Sequence, residues 1–160
     1  MPWLSVRENI ALGLWDLPRS ERDRRIDAAL DRVGLIKFAD ALPKTLSGGM
    51  AQRVGIARAV ALEPELLLLD EPFAALDPLT RMGLQNHLRE VLGDAGRTVV
   101  LITHDVDEAL LLSDRLIVIQ GPPGRISWQR TIDLAHPRKR TDAPFQALKA
   151  LVFDQLHVTA

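Results

Sequence analysis

Three short segments of the chain carry side chains that could do chemistry. Leu46-Ser47-Gly48-Gly49-Met50 stands at the opening of a helical pattern. Its glycines let a ligand approach the backbone, and the free amides and positive dipole end of a helix attract phosphate. An ordinary Ser cap followed by a flexible glycine pair explains the same residues without a ligand. The second segment is an apolar run closing on Asp70-Glu71-Pro72. Carboxylates at the C-terminal end of a buried parallel strand stand where α/β sheets bind ligands, and a solvated strand end is the plain alternative. The third is Thr103-His104-Asp105, following the apolar run Thr98 to Ile102. A histidine there can donate a hydrogen bond to a terminal phosphate, although a lone histidine at a strand end more often serves structure.

These segments need elements to hold them. Ser5-Val6-Arg7-Glu8 has capping-box spacing and predicts a short helix through Leu14, ended near Gly13 and Pro18. Ser20 is placed to cap a second helix that turns Ile26, Leu30 and Val33 inward and stops at Gly34. After Pro43, the positions Met50, Val54, Ala57 and Ala61 share one helical face. The first third therefore reads as helical. Beyond Pro64 the pattern changes. Leu66 to Leu69 is short and continuously apolar, which predicts a strand buried on both faces. Asp77-Pro78 starts a helix carrying Leu84, Leu88, Val91 and Leu92 inward and ending at Gly93 to Gly96. Thr98 to Ile102 is a second buried-type strand, Asp105 to Leu112 a helix, and Arg115 to Ile119 a third strand. After the turn Gly121-Pro122-Pro123-Gly124, Arg125 to Ile132 returns as a fourth strand. The tail from Asp142 places Phe145, Leu148, Val152 and Leu156 on one helical face. Helices alternating with strands predict an α/β fold with a mostly parallel sheet flanked by helices. Arg138-Lys139-Arg140 reads as a solvated loop cluster.

Composition narrows the function classes. A chain of 160 residues with 47% hydrophobic and 26% charged residues is an ordinary globular composition. One domain of this length buries ~70% of its extended-chain surface. The 20 Lys and Arg nearly balance 21 Asp and Glu, so charge points neither to nucleic acid nor to an anionic membrane. The absence of cysteine excludes disulfides, thiolate metal sites and thiol catalysis. No apolar run is long enough to span a membrane, and no basic segment followed by an apolar stretch opens the sequence, so a secretory leader is not expected. A cytosolic protein is expected, with docking on a membrane partner left open.

Taken in order, Leu46 to Met50, Gln52-Arg53, Leu66 to Pro72, Ala75-Leu76-Asp77 and His104 resemble the ATP-binding-cassette (ABC) transporter ATPases. Leu46-Ser47-Gly48-Gly49-Met50 looks like the family's signature motif, with Met50 replacing its common glutamine. Leu67 to Asp70 looks like the Walker B strand, Glu71 like the catalytic glutamate, Ala74 to Asp77 like the D-loop and His104 like the switch histidine. The resemblance implies a partial ABC-type nucleotide-binding domain, a P-loop NTPase fold lacking the phosphate-loop strand. Residues 1–63 would form a helical signature subdomain. Residues 64–160 would form the Walker B, D-loop and H-loop part of the catalytic core. It implies ATP and Mg²⁺ as ligands. Glu71 and His104 would be catalytic, Asp70 would hold Mg²⁺ through water, and Leu46, Ser47, Gly48, Gly49, Met50, Gln52 and Asp77 would serve the nucleotide. The implied partners are a second ABC ATPase subunit in a head-to-tail dimer and a membrane permease meeting the region Trp3 to Leu14. An extracytoplasmic solute-binding protein would act indirectly, and no nucleic acid is implied. The chain would sit at the cytoplasmic face of the membrane, held there by the permease. Ser47-Gly48-Gly49-Met50, Glu71-Pro72-Phe73, His104 to Ala109 and Pro123-Gly124-Arg125-Ile126 together resemble the nitrate/sulfonate/taurine importer branch.

One part of the family pattern is missing. Nucleotide hydrolysis of this type needs a glycine-rich turn ending in Gly-Lys-Ser or Gly-Lys-Thr. None of the 10 glycines is followed by lysine. The adenine-stacking aromatic and the metal-contacting glutamine would lie upstream of Pro2-Trp3-Leu4, so Met1 reads as a truncated or misassigned start. A disrupted gene or a deliberately shortened chain fits equally. The resemblance puts the strand leading into the phosphate loop between those at Thr98–Ile102 and Arg115–Ile119, so rows of backbone groups and apolar faces should lack partners. The chain alone is expected not to be a competent ATPase and not to fold stably alone. A different function class is a non-enzymatic or relic subunit lending its signature face to a full-length ATPase. An ABC-type ATPase of DNA repair or translation is disfavoured by the short spacing from Ser20 to Pro43 and the near-neutral charge. A dinucleotide-binding oxidoreductase lacks its G-x-G-x-x-G.

Overall fold

The computed structural model describes residues 1–74, 76–92 and 98–157, and within these the side chains of residues 87, 89–92 and 157 are left aside. The expected D-loop member Ala75, the helix stop at Gly93 to Gly96 and the inward-facing side chains of Val91 and Leu92 lie outside the described residues. The chain divides into two compact units, Met1–Val100 and Leu101–Ala160.

The first unit opens with α1 (Val6–Ala11), α2 (Arg19–Arg32) and α3 (Gly48–Ala61), joined by single 3₁₀ turns at Ile36–Phe38 and Pro43–Thr45. The capping box is present: the Ser5 hydroxyl accepts from the Glu8 amide, and the Glu8 carboxylate accepts from the Ser5 amide. Helix α2 starts one residue earlier than its expected Ser20 cap. Pro18 leads in with φ −53° and ψ 144° and no side-chain cap, because the fixed proline φ already suits a helix entry. Ile26, Leu30 and Val33 are buried as their spacing requires, and Gly34 ends the helix at φ +68°. The three helices pack on one another. Val6, Ile10, Leu14, Val54 and Ala57 belong to the buried set of this unit.

Strand β1 (Leu66–Asp70), helix α4 (Pro78–Leu92) and strand β2 (Thr98–Ile102) follow. β1 and β2 pair, and the Thr98 amide donates to the Glu65 carbonyl at 2.8 Å. Both strands were expected to be buried on two faces, and neither is. β1 alternates, with Leu67 and Leu69 buried while Leu66 and Leu68 are 53% and 65% exposed. In β2, Val100 and Ile102 are likewise exposed. A strand covered on one side shows period-2 burial whatever its composition, because successive side chains point to opposite faces.

The second unit holds α5 (Val106–Leu112), the strands β3 (Arg115–Gln120) and β4 (Arg125–Thr131), and α6 (Ala143–His157). β3 and β4 form a separate antiparallel sheet, Arg115 facing Thr131 and Gln120 facing Arg125. The α/β class stands, and the mostly parallel sheet expected from the sequence is here two strand pairs, the second of them antiparallel. A turn as short as Gly121–Gly124 can only return the chain antiparallel, since a parallel pairing needs a crossover of a dozen or more residues. Leu110, Leu111, Leu116, Val118, Ile132, Phe145 and Val152 build this unit's core, with Leu148 partly buried against it. Leu156, expected on the same face, is 39% exposed. The side chain of Arg138 is 2% exposed, not solvated. It donates to the carbonyls of Leu110, Ser113 and Leu134 at 2.6, 2.7 and 2.9 Å, so a buried cation satisfies chain ends that helix and strand leave open. Among the described residues, no helix is long and apolar enough to cross a membrane.

Candidate functional site

Ser47 caps α3 as its position predicts: its backbone is extended, and its hydroxyl accepts from the Met50 amide at 3.3 Å. Ser47 and Gly48 are exposed, Leu46 and Met50 half-buried, and nothing stands within 4 Å of the place a Gly48 side chain would occupy. An anion could approach that backbone freely. Gly49 differs. It is buried, and a Cβ there would lie 2.4 Å from Cγ2 of Thr80. Its missing side chain makes room for α4.

Asp70 ends β1 exposed, and Glu71 follows, half-buried, in the left-handed region at φ +46°. That conformation costs a residue with a Cβ about 1–2 kcal/mol, so neighbours must hold it. The Ala74 amide donates to the Glu71 carbonyl at 3.2 Å, Phe73 is fully buried, and the side-chain amide of Gln52 donates to the Pro72 carbonyl. Asp77 caps α4, accepting from the Thr80 amide at 3.0 Å. Hydrogen bonds from the Thr80 hydroxyl and then its amide hold the exposed Asp77 carboxyl below its ordinary value.

Helix α3 therefore brings Gln52 to the turn beside Glu71, and Gly49 to the turn of α4 that Asp77 caps. His104 belongs to the second unit, exposed on the connection into α5. Its neighbours are ordered. Thr103 donates to the buried Glu108 carboxylate at 2.6 Å, and Asp105 caps α5 by accepting from the amides of Asp107 and Glu108. Among the described residues, no three His, Asp or Glu side chains gather as a metal centre. A lone carboxylate such as Asp70 suits Mg²⁺, which keeps several waters and takes further oxygens from phosphate.

Thr80, Thr103 and Glu108 support these positions, and Arg138 supports the second unit. Thr80 was legible as the third residue after a cap. Nothing in the sequence marks Arg138 as buried.

A family model described as ABC transporter matches residues 1–74. The chain is 50% identical over 157 residues to an aliphatic sulfonates import ATP-binding protein of Pseudomonas savastanoi, covering 98% of this chain and 65% of that protein. The chain is thus similar to ABC import ATP-binding proteins along nearly its whole length. Another relative, the nitrate import ATP-binding protein of Synechococcus elongatus, is 50% identical over 147 residues, 89% of this chain and 22% of its own length. The chain thus spans less than two thirds of the length of these relatives. Its fold matches a CbiO protein from Clostridium perfringens, part of the CbiONQ ABC transporter complex, with TM-score 0.74 and 29% identity over 97% of this chain and 58% of that one. A dimeric ATP-binding cassette in a post-hydrolysis state with ADP and Pi matches at TM-score 0.68 and 32% identity, over 84% of this chain and 60% of that one. These likenesses agree with a partial ABC nucleotide-binding domain.

Proposed function

We propose that the chain is the ATP-binding and ATP-hydrolysing part of an ABC importer that energises uptake of a small oxyanion or sulfonate. The reading rests on one observation. The ordered series Leu46 to Met50, Asp70-Glu71, Asp77 and His104 lies in a chain 50% identical to a sulfonate import ATP-binding protein over 98% of its length.

ATP is the substrate, and its phosphoanhydride supplies the free energy. Ser47 and the glycines at the start of α3 meet the γ-phosphate of ATP held by a second ABC ATPase subunit, using exposed amides and the positive helix end. Leu46, Met50 and Gln52 complete that segment. Asp70 holds Mg²⁺ through water. Glu71 orients and polarises the attacking water, His104 donates to the γ-phosphate, and Asp77 couples the two sites of a head-to-tail dimer. The region Trp3 to Leu14, with Trp3 and Leu12 exposed, meets the membrane permease, which keeps the chain peripheral on the cytoplasmic face. An extracytoplasmic solute-binding protein acts through that permease.

The 160 residues by themselves contain no Gly-Lys-Ser or Gly-Lys-Thr, so they are proposed not to hydrolyse ATP alone. Losing even one preorganised donor typically costs ~10²–10³ in rate. A second reading is a non-enzymatic partner lending its signature face to a full-length ATPase. Intact mass of the native product, recovered from membranes with its permease, separates the two. A mass well above 17.8 kDa, with ATPase activity abolished by Glu71→Gln, supports the importer ATPase. A mass of 17.8 kDa, with no nucleotide bound and a full-length ABC ATPase co-purifying, supports the partner reading. ATP turnover by the 160-residue chain alone would overturn the proposed incompetence.

A further inference from the structure

We propose that Gln52 is a positioning residue for Glu71, its side-chain amide on α3 holding the Pro72 carbonyl and through it the strained turn that carries the carboxylate. This rests on the reading of Glu71 as the group that orients the attacking water. It gives Gln52 a duty other than touching nucleotide.

The need for an outside hold comes from the turn itself. A residue before proline is pushed by sterics toward extended backbone, yet Glu71 precedes Pro72 and stands at φ +46°. Pro72 has no N–H, so its carbonyl is the only backbone group through which neighbours can grip it. That carbonyl receives the Gln52 amide. Pro72 and Phe73 are buried, so water cannot readily take the amide's place. The other side of the turn is closed internally, by Ala74 on the Glu71 carbonyl and Leu76 on the Phe73 carbonyl, each at 3.2 Å. Helix α3 is fixed against α4 by Gly49 under Thr80, which sets where the Gln52 side chain reaches. Gln52 lies about one and a half turns beyond the Ser47 cap. A shift of the N-terminal end of α3 would therefore reach the turn that carries Glu71 through the Gln52 side chain.

The test uses the chain in its native transporter complex, comparing Gln52→Met, which keeps length but cannot donate, with Gln52→Lys, which restores a donor of similar reach. For Gln52→Met, kcat for ATP should fall about 10²-fold while KM for ATP stays within about twofold, as misplacement of a catalytic group does. Hydrogen exchange at Ala74 and Leu76 should rise, with α1 and α2 unchanged. Gln52→Lys should recover both. A raised KM at unchanged kcat, or unchanged exchange at 71–76, would overturn the proposal. If Gln52→Met unfolds the whole unit, Gln52→Lys decides: wild-type exchange at 71–76 supports the proposal and raised exchange overturns it. If the wild-type complex hydrolyses no ATP, the importer reading fails, while the exchange comparison still decides the role of Gln52.

Discussion

At Gly49, one missing methyl group decides how two helices meet. Its place in the first turn of α3 would ordinarily favour alanine, since glycine loses more backbone entropy on folding. The contact with Thr80 reverses the sign. A Cβ would stand 2.4 Å from Cγ2 of a β-branched side chain whose hydroxyl is engaged by Asp77. Gly49→Ala should destabilise the first unit by about 1–3 kcal/mol, the usual cost of overpacking. In a Thr80→Ser background, which removes Cγ2 and keeps the hydroxyl, the same substitution should be neutral or stabilising by up to about 1 kcal/mol. Urea midpoints of the double-mutant cycle check this. A stabilising Gly49→Ala in the unaltered chain would show that Thr80 does not need the space.

For the elements, exposure matters more than composition. β1 is leucine at every position before Asp70, yet Leu67→Ala should cost about 2–5 kcal/mol and Leu68→Ala within about 0.5 kcal/mol. Equal losses at the two positions, read from denaturant unfolding, would mean that both faces are covered. Helix α2 offers an electrostatic case. Arg24 and Arg25 contact Glu21 at 2.6 and 2.7 Å, and these hydrogen bonds, Arg24's the larger, bring its carboxyl down to about 2. The folded value lies below the ordinary 4.5, so the stabilising contribution is present above that pH and is lost as pH falls from 4.5 toward 2. Carboxyl NMR should show Glu21 titrating near 2, and Arg24→Ala should raise that midpoint toward 4.5. A midpoint already at 4.5 in the unaltered chain would deny the ion pairs any effect in solution.

Across the whole molecule, two units carry separate buried cores. Arg138 ties the second together from within. Its guanidinium, 2% exposed, reaches carbonyls at the end of α5 and beyond β4. Arg138→Met would leave buried carbonyl acceptors unpaired and should destabilise this unit by about 1–3 kcal/mol. Hydrogen exchange is the discriminating measurement. Protection should fall in α5, β3, β4 and α6 and persist in α1, α2 and α3. Uniform loss along the chain would mean that the two units unfold as one.

The helices, most of their caps and the order of the candidate site residues could be read from the sequence because they depend on local chemistry, the expected Ser20 cap of α2 being the exception. Ser5 with Glu8, Ser47, Asp77 before Pro78, and Gly34 each satisfy or release backbone groups within a few residues. The existence of the strands was equally legible from short apolar runs. What covers them was not. Leu66 and Leu67 look alike in sequence, and only the packed chain separates an open face from a buried one. The antiparallel return of β4 follows from a short turn, but the separation of the two strand pairs is a tertiary fact. So are the burial of Arg138, the left-handed turn at Glu71 and the hold of Gln52 on Pro72. Each arises between residues distant in sequence, where van der Waals exclusion and unsatisfied carbonyls, rather than any local pattern, determine the arrangement.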